Sequence, residues 1–216
     1  MIKAVIFDMD GVIIDSEAIH LEADNEVLKE FGKSLSEKEN LKYVGTCNEE
    51  FYSDMKKKFN LPISVEELVR RKVEIDIKLV GEKAKPILPT LELIKLLSKN
   101  KYKLALASSL ATLQIESILR KLNLKKYFET IVSVDCVAKA KPSPEMFLKA
   151  ANLLGVKNSD CIVIEDSDKG VMAAKAAGMK VIAVPNSYTK HHDLSKADLI
   201  VSSLGDVTLE TIKNMG

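Results

Sequence analysis

The sequence has little net charge, few cysteines and no long apolar run. Its 32 lysines and arginines nearly balance 31 aspartates and glutamates, so the basic excess expected of a nucleic-acid-binding protein is absent. No uninterrupted apolar run approaches the ~18 residues of a membrane helix, and the first segment is not a charged region followed by a long apolar one. We therefore expect no nucleic-acid partner, no membrane association and a cytoplasmic location.

The three cysteines, Cys47, Cys136 and Cys161, are odd in number and widely spaced. They form neither the CxxC pattern of a zinc site nor the density of a disulfide scaffold, so buried free thiols are expected. The composition, with 46% hydrophobic and 29% charged residues, is that of a folded globular protein. At 216 residues the chain can form one large domain or two unequal ones.

Short apolar runs alternate with amphipathic stretches along the chain. Runs rich in Val, Ile and Leu, without period-two alternation, predict buried strands at Ala4 to Phe7, Leu104 to Ala107, Ile131 to Val134, Cys161 to Ile164, Val181 to Val184 and Leu199 to Val201. Helical patterns of about 8 to 14 residues lie between most of them, as in βαβ units. The expected fold is an α/β, Rossmann-like parallel sheet.

The first two strands are separated by far more residues than one crossover needs. The pattern predicts that this insert is helical throughout, from about Ser16 to Lys83. Apolar residues recur every four positions from Ile19 to Phe31, and an amphipathic run extends from Val65 to Leu79. We expect a helical cap domain at residues 16–81 and a core domain at residues 1–15 and 82–216. Hinges are expected at Gly11 to Asp15 and Gly81 to Pro89.

The first strand ends in two carboxylates, Asp8 and Asp10, followed by Gly11. Residues two apart on an extended chain project to the same side, so these side chains converge at the edge where open α/β sheets bind ligands. Converging carboxylates repel, which calls for a divalent cation, a proton or a basic side chain beside them. The structural alternative is a pair of capping or turn acids.

Three later strands also end in polar groups. Glu165 and Asp166 follow one strand, and acids from two strand tips suit Mg²⁺, which prefers oxygen ligands. Ser108 and Ser109 follow another, where hydroxyls and helix N–H groups could hold a phosphate. Lys141 precedes a helix that begins at prolines. Each group alone also fits a capping or surface role, but their common placement at strand ends favours one site.

The four segments Asp8-Met9-Asp10-Gly11-Val12, Ser108, Lys141-Pro142 and Glu165-Asp166 together resemble the motifs of the haloacid dehalogenase superfamily, most closely its β-phosphoglucomutase-like branch. The resemblance covers essentially the whole chain. It implies that Asp8 is the nucleophile that takes phosphoryl as an aspartyl-phosphate. It also implies that Asp10 is first the general acid for the leaving oxygen and then the base for water.

The resemblance also implies binding roles. Ser108 and Lys141 would bind the transferring phosphate, with Ser109 beside them. Magnesium would be bound by Asp8, the backbone carbonyl of Asp10 and Asp166, with Glu165 in or next to the first shell. The cap residues implied at the substrate are His20, Gly45, Asn48 and Lys72. Splitting phosphate-ester hydrolysis into two displacements needs such a nucleophile, acid and cation cluster.

Phosphatases and mutases of this branch share the aspartate chemistry. Asp10 is the aspartate that dehalogenases of the superfamily lack, so it favours phosphoryl transfer. Asn48 stands at the position of the arginine with which the mutases hold the second phosphate. Val73 stands where the mutases have an asparagine after the cap lysine, and Thr90 stands where a glycine is usual. Without that arginine a bisphosphate loses a bidentate partner, which favours a phosphatase.

Three functions remain open. The leading hypothesis is a magnesium-dependent phosphatase acting on a small phosphorylated metabolite, in particular a sugar phosphate. The alternatives are a β-phosphoglucomutase or related phosphosugar mutase, and a non-catalytic binding protein on the same fold. Capped enzymes of this kind can work as monomers.

Overall fold

A parallel six-stranded sheet forms the centre of the protein, and the computed structural model describes all residues 1–216. The spatial order is β5-β4-β1-β6-β7-β8, and a separate antiparallel pair, β2-β3, completes the set. The strands are β1 (Ala4–Phe7), β2 (Ile14–Asp15), β3 (Lys85–Pro86), β4 (Lys103–Ala107), β5 (Thr130–Val132), β6 (Cys161–Glu165), β7 (Lys180–Ala183) and β8 (Leu199–Ile200). The predicted α/β fold is confirmed.

The register of the central strands decides where the polar strand ends lie. β1 pairs in parallel with β4 and β6, and Phe7 lies opposite both Leu106 and Ile164. All four residues of β1 are buried, which explains its uninterrupted apolar run. Because the three strands end in step, Asp8, Ser108 and Glu165 lie at one edge of the sheet.

Helices cover both faces of this sheet. On one face, α5 (Leu88–Lys99), α6 (Thr112–Lys121) and α9 (Leu209–Asn214) pack against Val5 and Phe7. On the other, α7 (Glu145–Leu154) and α8 (Asp168–Ala176) pack against Ala4 and Ile6. The alternate residues of β1 therefore belong to two different hydrophobic clusters, as expected for a sheet buried on both sides.

The long insert folds into four helices, α1 (Glu17–Lys29), α2 (Glu37–Asn40), α3 (Asn48–Phe59) and α4 (Val65–Lys83). They enclose a hydrophobic cluster of their own, made of Val27, Leu28, Leu35, Phe51, Tyr52, Met55, Leu61 and Leu68. The chain leaves the sheet through β2 and returns through β3, which pair with each other. The division at residues 15/16 and 81/82 stays a prediction.

Several local predictions need correction. The insert is not helical throughout, because non-helical segments separate its helices and include residues 41–47. The predicted strand to Val134 ends at Val132, since Val134–Cys136 forms a 3₁₀ turn. The cysteines are free, but only Cys161 is buried. No helix has the length and apolar character needed to cross a membrane.

Candidate active site

Lys141 joins two acidic strand ends at the floor of the site. Its Nζ donates to Asp8 Oδ1 at 2.7 Å and to Glu165 Oε1 at 2.5 Å. Burial disfavours the ammonium charge, but these two carboxylates outweigh burial and raise the pKa of Lys141. Lys141 was predicted to lie beside these acids because it precedes a helix, α7. It is in direct contact with both of them.

Asp8, Glu165 and Asp166 form a buried carboxylate cluster whose ligand atoms all lie within 4.8 Å of one another. Burial, together with the neighbouring carboxylates, raises the pKa of Asp8 to about 8 although Lys141 opposes this shift. The same causes raise the pKa of Asp166 well above its usual value. Hard oxygen donors this close fit a divalent cation, which favours their charged forms.

The cluster members differ in the oxygens that they leave free. Oε1 of Glu165 accepts from Lys141, and Oε2 accepts at 3.0 Å from the backbone N–H of Asp166, the backbone N–H of Ser167 and the Ser167 hydroxyl. Asp8 and Asp166 each use only one carboxylate oxygen in hydrogen bonds. Asp8 and Asp166 thus offer open ligand atoms, whereas Glu165 is held in place by the protein.

Asn186 and Gly11 shape the surroundings of Asp166. The Asn186 amide donates to Asp166 Oδ2 at 2.7 Å, while its oxygen accepts from the backbone N–H of Tyr188 at 2.8 Å. Gly11 has a φ of +68°, and a Cβ there would lie 2.1 Å from Asp166 Oδ2. Glycine is required at this turn both by the left-handed backbone and by the carboxylate beside it.

Asp10 points away from the cluster, toward α1. Its Oδ1 accepts from the Ser16 hydroxyl at 2.5 Å and lies 2.9 Å from His20 Nε2. Burial opposes ionisation of Asp10, but the charge and hydrogen bond of His20 and the bond from Ser16 outweigh it and lower its pKa. The carboxylate of Asp10 is therefore separate from the cluster, and only its backbone remains for the predicted contact with a cation.

The two predicted serines have different surroundings. The Ser108 side chain is fully buried, and its hydroxyl accepts from the backbone N–H of Leu110 at 3.1 Å. Ser109 instead lines the cavity above the acidic cluster. Both precede α6, which begins at Thr112, so neither is at the N-terminus of the helix. Ser108 stabilises the turn, and Ser109 is exposed to the cavity.

The predicted cap residues His20, Gly45, Asn48 and Lys72 all line this cavity, which has a volume of about 80 Å³. Gly45 has a φ of +77°, and a Cβ there would lie 3.1 Å from the Cβ of Ser167. The cap loop thus lies directly against the sheet edge. Ligand pockets usually measure about 300–1,000 Å³, so this cavity is smaller than a typical ligand pocket.

Carboxyl groups outnumber cationic groups on the cavity wall. Six carboxylates face it, against three cationic groups, His20, Lys72 and Lys141; the six are Asp8, Asp10, Glu17, Asp24, Glu165 and Asp166. Burial raises the pKa of Glu17 to about 7. The excess of carboxylates favours binding of a cation.

His20 is held at both ring nitrogens. Nε2 faces Asp10, and Nδ1 lies 2.6 Å from Oδ1 of Asp76 on α4. Burial disfavours the charged ring, but Asp76 and Asp10 outweigh it and raise the pKa of His20 to about 10. Lys72 also pairs with Asp76, at 3.3 Å.

Four further residues of this region were not predicted from the sequence: Asp76, Asn186, Glu17 and Asp24. Spacing could have indicated three of them, since Asp76 lies four residues after Lys72, while Glu17 and Asp24 flank His20 at three and four residues on one helix. Asn186 follows β7, as the recognised acids follow their strands. No spacing rule links Asp76 to His20, which lies 56 residues away.

Comparison with known proteins gives consistent results. The family model described as haloacid dehalogenase-like hydrolase matches residues 5–184. A phosphorylated carbohydrates phosphatase of Thermotoga maritima is 33% identical over 215 residues, covering 99% of this chain and 97% of that protein. A bifunctional riboflavin kinase/FMN phosphatase of Arabidopsis thaliana is 37% identical over 96% of this chain, which spans only 55% of that protein.

A solved structure extends the similarity to the fold. The crystal structure of CbbY from Rhodobacter sphaeroides in complex with phosphate has a TM-score of 0.92 at 26% identity, covering 99% of this chain and 100% of that chain. The resemblance drawn from the four motifs is thus confirmed, and the chain belongs to the haloacid dehalogenase-like hydrolases.

Proposed function

We propose that the protein is a magnesium-dependent phosphatase that hydrolyses a small sugar phosphate through an aspartyl-phosphate on Asp8. The observation that carries the proposal is the convergence of Asp8, Lys141 and the acidic cluster at the floor of a polar cavity beneath the helical insert. The phosphatase names of the relatives support the enzyme class, a phosphoric monoester hydrolase, and one of them supports a carbohydrate substrate.

Asp8 is the nucleophile in this proposal. A carboxylate oxygen of Asp8 attacks phosphorus and forms the acyl phosphate while the bond from phosphorus to the sugar oxygen breaks. The leaving oxygen takes its proton from Asp10, which receives that proton from the protonated His20 Nε2, 2.9 Å away. Water then attacks the phosphorus, Asp10 accepts its proton, and phosphate leaves Asp8 free.

The ligand atoms that the protein leaves open support a magnesium site at the acidic cluster. Magnesium would be bound by Asp8, Asp166 and the Asp10 backbone carbonyl, with Glu165 beside them. When bound, it supplies positive charge that offsets the phosphate charge. Lys141 adds a second positive charge, and Ser109 lies where it can bind a phosphate oxygen.

The cap wall favours a phosphatase over a mutase. A bisphosphate would need a cation there for its second phosphate, but Asn48 offers none, and both His20 and Lys72 are paired with Asp76. Glu17 and Asp24 on the same wall offer no positive charge to a second phosphate. Hydroxyl groups, in contrast, can donate hydrogen bonds to these carboxylates.

Phosphate release from a panel of phosphorylated metabolites with magnesium tests the proposal. A parallel assay follows conversion of β-glucose 1-phosphate to glucose 6-phosphate with and without glucose 1,6-bisphosphate. We expect release from one or a few sugar phosphates without isomerisation. Bisphosphate-dependent isomerisation with little release would establish the mutase, and no turnover on the whole panel would favour a binding protein.

Two perturbations identify the chemistry. Asp8→Asn and removal of magnesium by chelation should each abolish turnover, because the nucleophile or the charge that offsets the phosphate is lost. Asp160→Asn is the matched control, since Asp160 pairs with Lys3 and precedes β6, at the opposite edge of the sheet. Substantial activity in Asp8→Asn would exclude Asp8 as the nucleophile.

A further inference from the structure

Asp76 is a buried carboxylate to which the proposed mechanism assigns no role. It lies on α4 and is 0% exposed. Its Oδ1 accepts from His20 Nδ1 at 2.6 Å and from Lys72 Nζ at 3.3 Å, and its Oδ2 accepts from the Gln114 amide at 2.5 Å. Both oxygens are therefore engaged, by groups from three helices.

The geometry connects Asp76 to the acid–base carboxylate through one imidazole ring. An ionised carboxylate only accepts hydrogen bonds, so His20 Nδ1 must carry the proton that faces Asp76. Nε2 is then left to face Asp10 Oδ1, at 2.9 Å. Asp76 thereby determines the orientation of the ring that contacts Asp10.

Gln114 places this arrangement at the contact between the insert and the sheet layer. It lies on α6, packed against the sheet, and its side-chain oxygen accepts from the backbone N–H of Ala111 at 3.0 Å. The amide group that contacts Asp76 is therefore itself fixed. Asp76 reaches Gln114 only while α4 lies against α6, so the chain from Asp10 through His20 to Asp76 is complete only when the insert is in this position.

A purely structural role explains less of this arrangement. An isolated pair of Lys72 and Asp76 would be a buried ion pair within one helix, and such pairs are often replaceable by apolar residues without loss of stability. Here the shorter contact of Asp76 is to His20 rather than to Lys72.

We propose that Asp76 is a positioning residue for the acid–base step, which holds His20 so that Asp10 is kept in place to protonate the leaving oxygen. This inference rests on the proposed phosphatase function. In this proposal the insert covers the site and also helps to position the group that transfers the proton.

The dependence of the reaction on the leaving group tests the proposal. An alkyl oxygen, as in a sugar phosphate, needs a proton to leave, whereas p-nitrophenolate leaves without one. The ratio kcat/KM includes only steps up to departure of the leaving group. We expect Asp76→Ala to lower kcat/KM for the sugar phosphate by up to about 100-fold, the lower end of what general acid–base catalysis contributes, and to lower it much less for p-nitrophenyl phosphate.

Two further variants separate positioning from general damage. Asp76→Asn keeps an acceptor for His20 Nδ1 and should recover part of the loss. Leu68→Ala removes a fully buried side chain from the same helix without touching His20, so it should lower thermal stability while leaving the ratio of the two substrates unchanged. An equal loss on both substrates in Asp76→Ala would overturn the proposal.

A structural readout keeps the inference testable apart from activity. In a crystal structure of Asp76→Ala we expect His20 to turn away from Asp10, with Nε2 beyond hydrogen-bonding distance. If His20 keeps its bond to Asp10 there, the proposal is refuted whatever the substrate. If the wild-type protein releases phosphate from neither substrate, the proposed function fails, and the crystal structure alone decides whether Asp76 holds His20.

Discussion

Replacement of Gly170 by alanine should destabilise the protein, although the residue lies in a helix. Alanine is favoured over glycine in helices by about 1 kcal/mol, and Gly170 is the third residue of α8. However, a Cβ there would lie 1.9 Å from Glu165 Cδ and Oε1, well inside the 3.0 Å that real Cβ atoms keep. The Glu165 carboxylate would have to move.

The hydrogen bonds of Glu165 determine the size of the effect. Its two oxygens accept four hydrogen bonds, one from Lys141 and three from the backbone N–H groups and the hydroxyl at Asp166 and Ser167. Bonds to a charged group contribute roughly 1.5–3 kcal/mol each, so losing two costs roughly 3–6 kcal/mol. After the helix preference is subtracted, we expect Gly170→Ala to lower the free energy of unfolding by about 2–5 kcal/mol.

Gly81→Ala is the matched control for this experiment. Gly81 also lies in a helix, α4, but a Cβ there would meet no atom within 4 Å. We expect that variant to be more stable by about 0.5–1 kcal/mol. Urea unfolding followed by circular dichroism measures both variants, since the chain has no tryptophan for fluorescence. Equal stabilisation of the two would refute the assigned role of Glu165.

Three more substitutions test separate parts of the structure. Asn186→Ala removes the amide that holds Asp166, so the magnesium concentration for half-maximal activity should rise about 10–100-fold; an unchanged magnesium titration would contradict this. Thr90→Val removes a buried hydrogen bond of 2.6 Å to the Val12 carbonyl and should lower the free energy of unfolding by about 1–3 kcal/mol in urea. Asn48→Arg adds a bidentate cation to the cap wall and should tighten inhibition by a sugar bisphosphate about tenfold, or about 1.4 kcal/mol; no change would place Asn48 away from the substrate.

The strand pattern was predictable because burial on both faces of the sheet requires uninterrupted apolar runs. β1 matches the predicted Ala4 to Phe7, and the other strands differ at their ends by one or two residues. Strand ends are less predictable, since hydrogen bonds to neighbouring strands decide where pairing stops. The short pair β2-β3 had no signal of its own because each strand has only two residues.

The floor of the site was also predictable in outline. Residues that follow parallel strands must meet at one edge of the sheet, so Asp8, Lys141, Glu165 and Asp166 could be grouped before any distance was known. Their individual surroundings could not be predicted. Which oxygens of Glu165 accept hydrogen bonds depends on how the chain turns after β6.

The surroundings of Asp10 could not be predicted from the sequence. The sequence by itself determined the α/β fold, the helical insert and the set of acids at the strand ends, because strand and helix periodicities are local and a parallel sheet aligns its strand ends. Only the tertiary structure decided that Asp76 and Gln114 meet beside His20, since they belong to three helices far apart in the chain. Such contacts depend on how the insert packs on the sheet layer, and no local spacing records that packing.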